Sequence, residues 1–443
     1  MIGRSDRNRR PHVALVAAHP ARVGGMEKFC RFLVQSLLDD GWPITVALSG
    51  ENIYGDLASP RAGLLNVQHV DWLDNSFAGD RDYWWSRVRD RRRWFRRIRP
   101  DAAVFVQSSN TPLRASVLGA ALAGVPIVTT HRTMAWPVED VPARRHCFGL
   151  LPGLHLHRRK VVFKTWLTAA LARAVIYNSD QVRADYEEQY CYPHGKGVVI
   201  ANAVESPPEP VATAESAHDG EPVGEKPCTI GYVGRISREK RLDVLIRALA
   251  AMRTTRQVRL MLCGEGPEQS RLAALAGELQ VADRITWSGL VQDVWSAYAR
   301  CEIVTLCSPR ESSSNMVLEA MAAGKAVVVT RAGGLPELTD GGRLGVCVPA
   351  LDVNALATAL AFLIEHDDYR QQLGNRAREA VLARHNASAI AAQWRSLLRQ
   401  VAGRRWWVPH FGRTTSRSDN QLPQSSPALC GCTSAAGNAS VRL

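Results

Sequence analysis

No run within the 443 residues comes near the roughly 18 uninterrupted apolar residues that cross a bilayer, so any membrane contact is expected to be peripheral. Paired cysteine spacing is missing as well. Ten cysteines are scattered, and the close pair Cys430 and Cys432 lies in a polar stretch with no histidine nearby to complete a metal site. Cys30, Cys263, Cys301, Cys307 and Cys347 fall in or beside apolar runs, where a thiol serves as a small hydrophobe. That usage excludes a disulfide scaffold and suits a reducing cytosol. Acidic residues are in deficit, 42 against 55 lysines and arginines, for a formal net charge of +13. Such a balance favours anionic partners: nucleic acid, phosphorylated small molecules or an acidic membrane surface. A secretory signal core is also lacking. Arg4, Arg7, Arg9 and Arg10 precede an apolar stretch from Val13 to Ala18, but it is too short. It leads into Gly24-Gly25 and an amphipathic helix, so it reads as a first β-strand.

What is present is an alternation of short apolar runs with helical patterns, the mark of βα units building parallel sheets. The expected strands of the first half are His12–Ala18, Ile44–Leu48, Ala102–Gln107, Pro126–Thr130, Ala174–Asn178 and Gly197–Ile200. Between the first two lies a helix over Met26–Asp39, with Phe29, Leu33, Leu37 and Leu38 at helical spacing. The segment from Glu205 to Pro227 is crowded with Pro, Glu, Ala and Gly and nearly free of bulky apolar residues, which makes it a linker. The alternation then restarts with Thr229–Val233, Leu260–Cys263, Ile285–Ser288, Ile303–Leu306, Ala326–Thr330 and Gly345–Val348. A chain of this length exceeds one hydrophobic core. The expectation is an α/β protein of two Rossmann-like, doubly wound parallel-sheet domains facing a cleft. Its expected divisions are 1–205, a linker at 206–227, a second domain at 228–385, a helix at 386–402 that can pack back on the first domain, and a disordered tail at 403–443. Ligands of such sheets bind at the carboxyl ends of the strands.

The strongest chemical signal runs from Ser308-Pro309-Arg310-Glu311 through Ser312-Ser313-Ser314-Asn315-Met316-Val317 to Glu319-Ala320-Met321-Ala322-Ala323-Gly324. A polar loop after a strand enters a helix near Ser314 or Asn315, both good N-caps. The amides of that helix start form an anion site suited to a diphosphate. Glu311 and Glu319 flank it, and carboxylates there accept hydrogen bonds from sugar hydroxyls more readily than they tolerate phosphate. Taken alone, the pattern also describes a capped surface helix with two solvated glutamates.

Glu311 and Glu319, eight apart and followed by Ala-Met-Ala-Ala-Gly, resemble the paired-glutamate motif of family-4 glycosyltransferases, which have the two-Rossmann-domain GT-B fold. The similarity continues through Ala326–Thr330 and Gly333-Gly334-Leu335-Pro336-Glu337-Leu338. It covers nearly all of the second domain and is sparser in the first. The resemblance implies a retaining transfer from a nucleotide-diphosphate sugar, with no cofactor and no obligatory metal. It implies, further, that Arg235 and Lys240, in the basic turn Gly234–Lys240, contact the donor diphosphate. Both cations suit that role, Arg as a bidentate fork and Lys as a point charge. Gly25, in Gly24-Gly25-Met26-Glu27, is implied to approach the donor phosphate, as a residue without Cβ can. The backbone of Ser312, Asn315, Met316 and Val317 is placed at the diphosphate, Glu319 at the ribose and Glu311 at the sugar. His131, after the strand Pro126–Thr130, is implied to position and stabilise the donor sugar near the reacting carbon. Asn178-Ser179 and Asn202 match positions lining the cleft.

Two features depart from the family pattern. The loop after the first glutamate carries three serines where glycines are common, and Ala203 replaces the usual glycine after Asn202. Gly264-Glu265-Gly266 invites a dinucleotide reading, but Pro267 follows and no third glycine stands at the needed spacing.

The excess charge is concentrated. Between Arg81 and Pro100 nine arginines face two aspartates, interleaved with Trp84, Trp85, Trp94 and Phe95. A second cluster comprises His155, His157, Arg158, Arg159, Lys160 and Lys164, near Phe163, Trp166 and Leu167. Basic helices with tryptophan can lie on anionic lipid, which suits a lipid-linked glycan acceptor on the inner face of a membrane. A solvated helix packing its aromatics on the sheet is the plainer alternative. Nucleic acid is not expected, since no recognisable module accompanies the charge. The alternatives to a lipid-linked acceptor are a soluble transferase acting on a sugar or sugar phosphate, and an inactive relative serving as a binding partner.

Overall fold

The computed structural model describes residues 9–18, 24–49, 51–58, 63–70, 84–107, 113–135, 137, 153–208 and 227–403. Seven strands build the first sheet: β1 (Val13–Ala18), β2 (Ile44–Ser49), β3 (Leu65–His69), β4 (Ala102–Gln107), β5 (Ile127–His131), β6 (Ala174–Tyr177) and β7 (Gly197–Val199). Six build the second: β8 (Cys228–Val233), β9 (Val258–Cys263), β10 (Ile285–Gly289), β11 (Ile303–Leu306), β12 (Ala326–Thr330) and β13 (Val346–Val348). The strand orders are β3-β2-β1-β4-β5-β6-β7 and β10-β9-β8-β11-β12-β13, and every pairing is parallel. In each sheet the first strand of the lobe lies inside and the order reverses there, so each lobe is a doubly wound Rossmann-like domain.

Helices of the first lobe are α1 (Gly25–Asp39), α2 (Gly55–Ala58), α3 (Trp84–Ile98), α4 (Arg114–Leu122), α5 (Gly153–Leu171) and α6 (Asp180–Tyr190). The second lobe carries α7 (Leu242–Ala251), α8 (Gln269–Glu278), α9 (Val294–Ala299), α10 (Asn315–Ala322), α11 (Leu335–Leu338), α12 (Val353–Glu365) and α13 (Asp367–Arg384), and α14 (Ala387–Ala402) follows. The central strands are buried along their whole length, β4 and β5 at every residue, because helices cover both faces of the sheet. One strand, β3, was not expected. Its Asn66, Gln68 and His69 give it the polar, half-exposed pattern of a sheet edge, and an edge strand carries little of the apolar signal that marks a central one.

The last helix ends on the other lobe from the one it follows. Ile390, Trp394, Leu397, Leu398 and Val401 of α14 join the core formed by β1, β2, β4 and α1, with the rings of Trp394 and Phe29 5.5 Å apart. The chain passes between the lobes at two adjacent points. Val204 bridges Asn386 in parallel, its amide donating to the His385 carbonyl at 2.9 Å. Nδ1 of His385 lies 2.9 Å from the Asn202 carbonyl. Most of the expected linker at 206–227, and the expected tail beyond Gly403, lie outside the described residues.

Candidate active site between the lobes

The site is assembled around the start of α10. Ser314 caps it, its Oγ accepting from the Val317 amide at 3.4 Å. The Val317 N–H, expected at the diphosphate, makes that cap bond. Among the described residues no acceptor meets the N–H groups of Asn315 and Met316. Met316 is fixed from behind, its sulfur accepting from the Val233 amide at 3.4 Å and its carbonyl from the Tyr298 hydroxyl at 3.3 Å.

Two carboxylates stand on either side of this helix start, each already matched with a lysine. Lys240 Nζ lies 2.7 Å from Glu311 Oε2, both side chains largely buried. Lys28 of α1 reaches across from the first lobe to Glu319 Oε1 at 2.8 Å. The other oxygen of Glu319 accepts from the Tyr298 hydroxyl at 2.9 Å. Arg235 is directed outward instead, paired with Glu239 at 2.8 Å and 68% exposed. Glu239 is held in turn by Ser237 Oγ at 2.6 Å.

Backbone approaches that only glycine allows hold these loops together. A Cβ on Gly264 or Gly266 would collide with the carbonyls of Gly234 and Ile236, so the Gly-Glu-Gly turn after β9 is the floor on which the Arg235–Lys240 turn rests. Gly333, at φ +54°, and Gly334 pack in the same way against the carbonyls of Glu311 and Ser312. The Gly334 amide donates to the Glu311 carbonyl at 2.9 Å. This is why the Gly-Gly-Leu-Pro-Glu segment accompanies the acidic loop.

The serine that stands in the place of a common glycine ties the loop to the first lobe. Ser312 Oγ donates to the Arg132 carbonyl at 2.8 Å and accepts from Asn178 Nδ2 at 3.2 Å. Ser179 Oγ donates to the Ser312 carbonyl at 3.1 Å. Asn202 Nδ2 meets Asn315 Oδ1 at 2.7 Å. Asn202 is itself oriented by Arg132, which donates to its side-chain oxygen. Gly25, at the start of α1, lies beside the Asn315 side chain; a Cβ there would be 3.7 Å from Nδ2.

A cleft of about 680 Å³ is lined by Asn315, Glu319, Lys28 and Arg132 together with Phe32, Trp295 and Arg395. Arg132 is a cation that sequence reasoning passed over. The residue is 8% exposed, and its guanidinium stands 4.0 Å over the Phe29 ring and is drawn down to a pKa of about 9 by burial. Lys28 and Tyr298 were missed too. Lys28 follows directly on Gly-Gly-Met-Glu, and Arg132 follows His131, so their neighbourhoods were in view; nothing local marks Tyr298.

His131 is not brought to this group. Its ring is 2% exposed, packed 4.2 Å from Tyr186, 5.4 Å from Tyr192 and 5.9 Å from Tyr177. Neither ring nitrogen has a hydrogen-bond partner, and burial pushes its pKa down to about 3, so the imidazole is neutral. Glu311, Lys240, Arg235 and Ser312 do not line the large cleft either. Among the described residues no group of three or more His, Cys, Asp or Glu side chains could hold a metal ion, and no helix is long and apolar enough to cross a membrane.

Residues 214–380 match the family described as "Glycosyl transferases group 1", and residues 23–206 match "Glycosyltransferase Family 4". The chain is 28% identical over 170 residues to the N-acetyl-alpha-D-glucosaminyl L-malate synthase of Bacillus anthracis, covering 38% of this chain and 45% of that one. It is 29% identical over 166 residues to the lipopolysaccharide core biosynthesis glycosyltransferase LpsE of Rhizobium meliloti, covering 38% and 48%. In both cases the match spans less than half of the relative's length. Among solved structures, Anabaena Alr3699/HepE in complex with UDP-glucose superposes with a TM-score of 0.67 at 19% identity, covering 88% of this chain and 100% of that one.

Proposed function

Since the chain belongs to the family-4 glycosyltransferases of GT-B fold, we propose that it transfers a sugar from a nucleoside-diphosphate donor with retention of configuration and without an obligatory metal. The observation that carries this reading is the Lys240–Glu311 pair at 2.7 Å beside the start of α10. A cation, a carboxylate and two helix-start amides would then serve one sugar diphosphate. Lys240 would neutralise the charge that grows on the departing diphosphate, aided by the amides of Asn315 and Met316. Arg235 would join it by leaving Glu239, an exposed pairing that costs little to break. Glu311 would accept hydrogen bonds from sugar hydroxyls and Glu319 from the ribose, with Gly25 allowing the phosphate to approach α1. Retention would follow a front-face course, the acceptor hydroxyl attacking from the side the leaving group departs and passing its proton to a phosphate oxygen. For His131 to touch the donor sugar, the tyrosine nest around it would have to open.

Screening UDP-, GDP- and ADP-sugars by thermal shift tests the donor assignment. A bound donor at a hundred times its Kd adds about 2.7 kcal/mol to stability. With the donor so found, anomeric NMR of the product is expected to show retention, and EDTA is expected to leave the rate unchanged at saturating donor. Inversion, or loss of activity restored by a divalent cation, contradicts the scheme.

The acceptor we propose is a lipid-linked glycan at an anionic membrane surface, as in polysaccharide or lipopolysaccharide assembly, with the enzyme cytoplasmic and peripheral. On α3, Trp94 and Phe95 are buried against the sheet, so part of the basic aromatic cluster is ordinary packing. Trp85 is not part of that packing: it is 68% exposed, and Arg89, Arg93, Arg96 and Arg97 are exposed on the same helix. Leu122 on α4 and Phe163 on α5 are also exposed, the latter with its ring 5.8 Å from Trp166. The side chains of Trp84, His155, His157, Arg158, Arg159 and Lys160 lie outside the described residues. Flotation with phosphatidylglycerol vesicles is expected at low salt and lost at high salt. Charge reversal at Arg89, Arg93, Arg96 and Arg97 together is expected to lower partition by on the order of a hundredfold or more, at roughly 1 kcal/mol per basic residue. A chain that fails to float even at low salt instead fits a transferase acting on a soluble sugar or sugar phosphate.

A further inference from the structure

The carboxylate assigned to the ribose is paired with the opposite lobe. Lys28 Nζ sits 2.8 Å from Glu319 Oε1, joining residues 291 apart in sequence, while the Tyr298 hydroxyl holds Oε2 at 2.9 Å. Both oxygens therefore already have a donor, and the ammonium competes with any hydroxyl that would bond to Oε1. The second carboxylate differs in kind. Glu311 is matched by Lys240 of its own lobe, so exchanging that partner for a sugar moves no lobe against the other. The other cross-lobe bonds include Asn202 to Asn315, Ser312 to Arg132, Asn178 and Ser179, Arg310 to the Ala135 carbonyl, and Glu337 to the amides of Asp180 and Gln181; none of them uses Glu311 or Glu319. Lys28 alone, among these described contacts, joins the first lobe to a carboxylate assigned to the donor.

We infer that Lys28 is the group that the donor's ribose displaces, a positioning residue whose pairing with Glu319 sets the apparent donor affinity. This rests on the donor reading above, in which Glu319 binds the ribose. Its consequence is a division between ligands. A nucleoside diphosphate carries the ribose and must break the Lys28–Glu319 pair; inorganic pyrophosphate lacks it and leaves the pair intact. The pair is half-exposed on the Lys28 side, so the effect is modest.

The test compares the full-length protein with Lys28→Met and Lys28→Arg, titrating UDP, GDP, ADP and inorganic pyrophosphate by calorimetry and measuring the donor KM and kcat. Lys28→Met is expected to tighten the nucleoside diphosphate that the wild type binds by about two- to fivefold. Pyrophosphate affinity is expected to stay the same, the donor KM to fall by the same factor, and kcat to move less than KM. Lys28→Arg, which keeps the cation, is expected to stay near wild type. Parallel weakening of nucleoside diphosphate and pyrophosphate in Lys28→Met would mark Lys28 as a phosphate ligand and overturn the inference. Unchanged nucleoside diphosphate affinity overturns it as well. Failure of the wild type to bind any of the three nucleoside diphosphates is a separate result, removing the donor reading itself and this inference with it.

Discussion

Replacing Lys240 by alanine is expected to lower kcat by about 10²–10³ while leaving the protein folded. The size follows from what the ammonium does in the proposed transfer. It faces the point where negative charge grows on a departing diphosphate, and removing one such preorganised donor costs a few kcal/mol in comparable sites. The structure adds a second penalty. Lys240 is the counter-charge 2.7 Å from Glu311, whose side chain is only 16% exposed. Without the lysine that carboxylate faces the incoming diphosphate uncompensated, so donor binding weakens along with turnover. Two controls separate charge from shape. Lys240→Arg keeps the cation but presents a planar fork where a compact point charge fits, so partial recovery is expected. The double variant Lys240→Ala with Glu311→Gln removes the repulsion and is expected to restore donor affinity without restoring kcat, because the leaving group still lacks its cation. Steady-state kinetics with the screened donor, checked against an unchanged melting temperature, gives the answer. Turnover within threefold of wild type in Lys240→Ala would sink the assignment.

Most of this architecture was open to a reading of residues alone, and the reason is physical. Strands such as β4 and β12 are buried on both faces, so they appear in the sequence as continuous apolar runs, and their ends were placed within a residue or two. Strand β3 escaped because an edge strand with Asn66, Gln68 and His69 lacks that run. The acidic loop and its helix start were legible through the cap at Ser314, a local motif in one segment. What was not legible depends on contacts made at long range. Lys28 acquires its place only when α1 is laid against α10, and Tyr298 only when α9 packs behind that helix. His131 shows the opposite failure. Its position at the end of β5 suggested the cleft, yet three tyrosines from β6, α6 and the loop after it enclose the ring. Ser312 is a middle case, since its departure from the glycine pattern was visible, but the bonds it makes to the Arg132 carbonyl and to Asn178 were not.

The largest stability effect is expected from Trp394→Ala, at roughly 3–5 kcal/mol. Trp394 is fully buried in the α14 face that covers α1, β1, β2 and β4, against Phe29. Truncation deletes the largest apolar side chain of that helix and leaves a void the surrounding leucines cannot fill, so the transfer and cavity costs add. The indole N–H has no hydrogen-bond partner, so no polar contact is lost with the ring and the cost is one of packing. Trp394→Phe, which retains an aromatic against Phe29, is therefore expected to be clearly milder. The consequence reaches function because α14 follows the second lobe in sequence but completes the core of the first. Loosening it frees α1, which carries both Gly25 and Lys28 and meets Asn315 and Glu319 across the cleft. A melting temperature lower by roughly 10 °C is expected in Trp394→Ala. The donor KM should change with it, since the helix that faces the donor subsite has lost its backing. If the variant melts within two degrees of wild type, α14 does not hold the first lobe in the way its burial indicates. If it melts early with an unaltered donor KM, the link from this core to the cleft is broken.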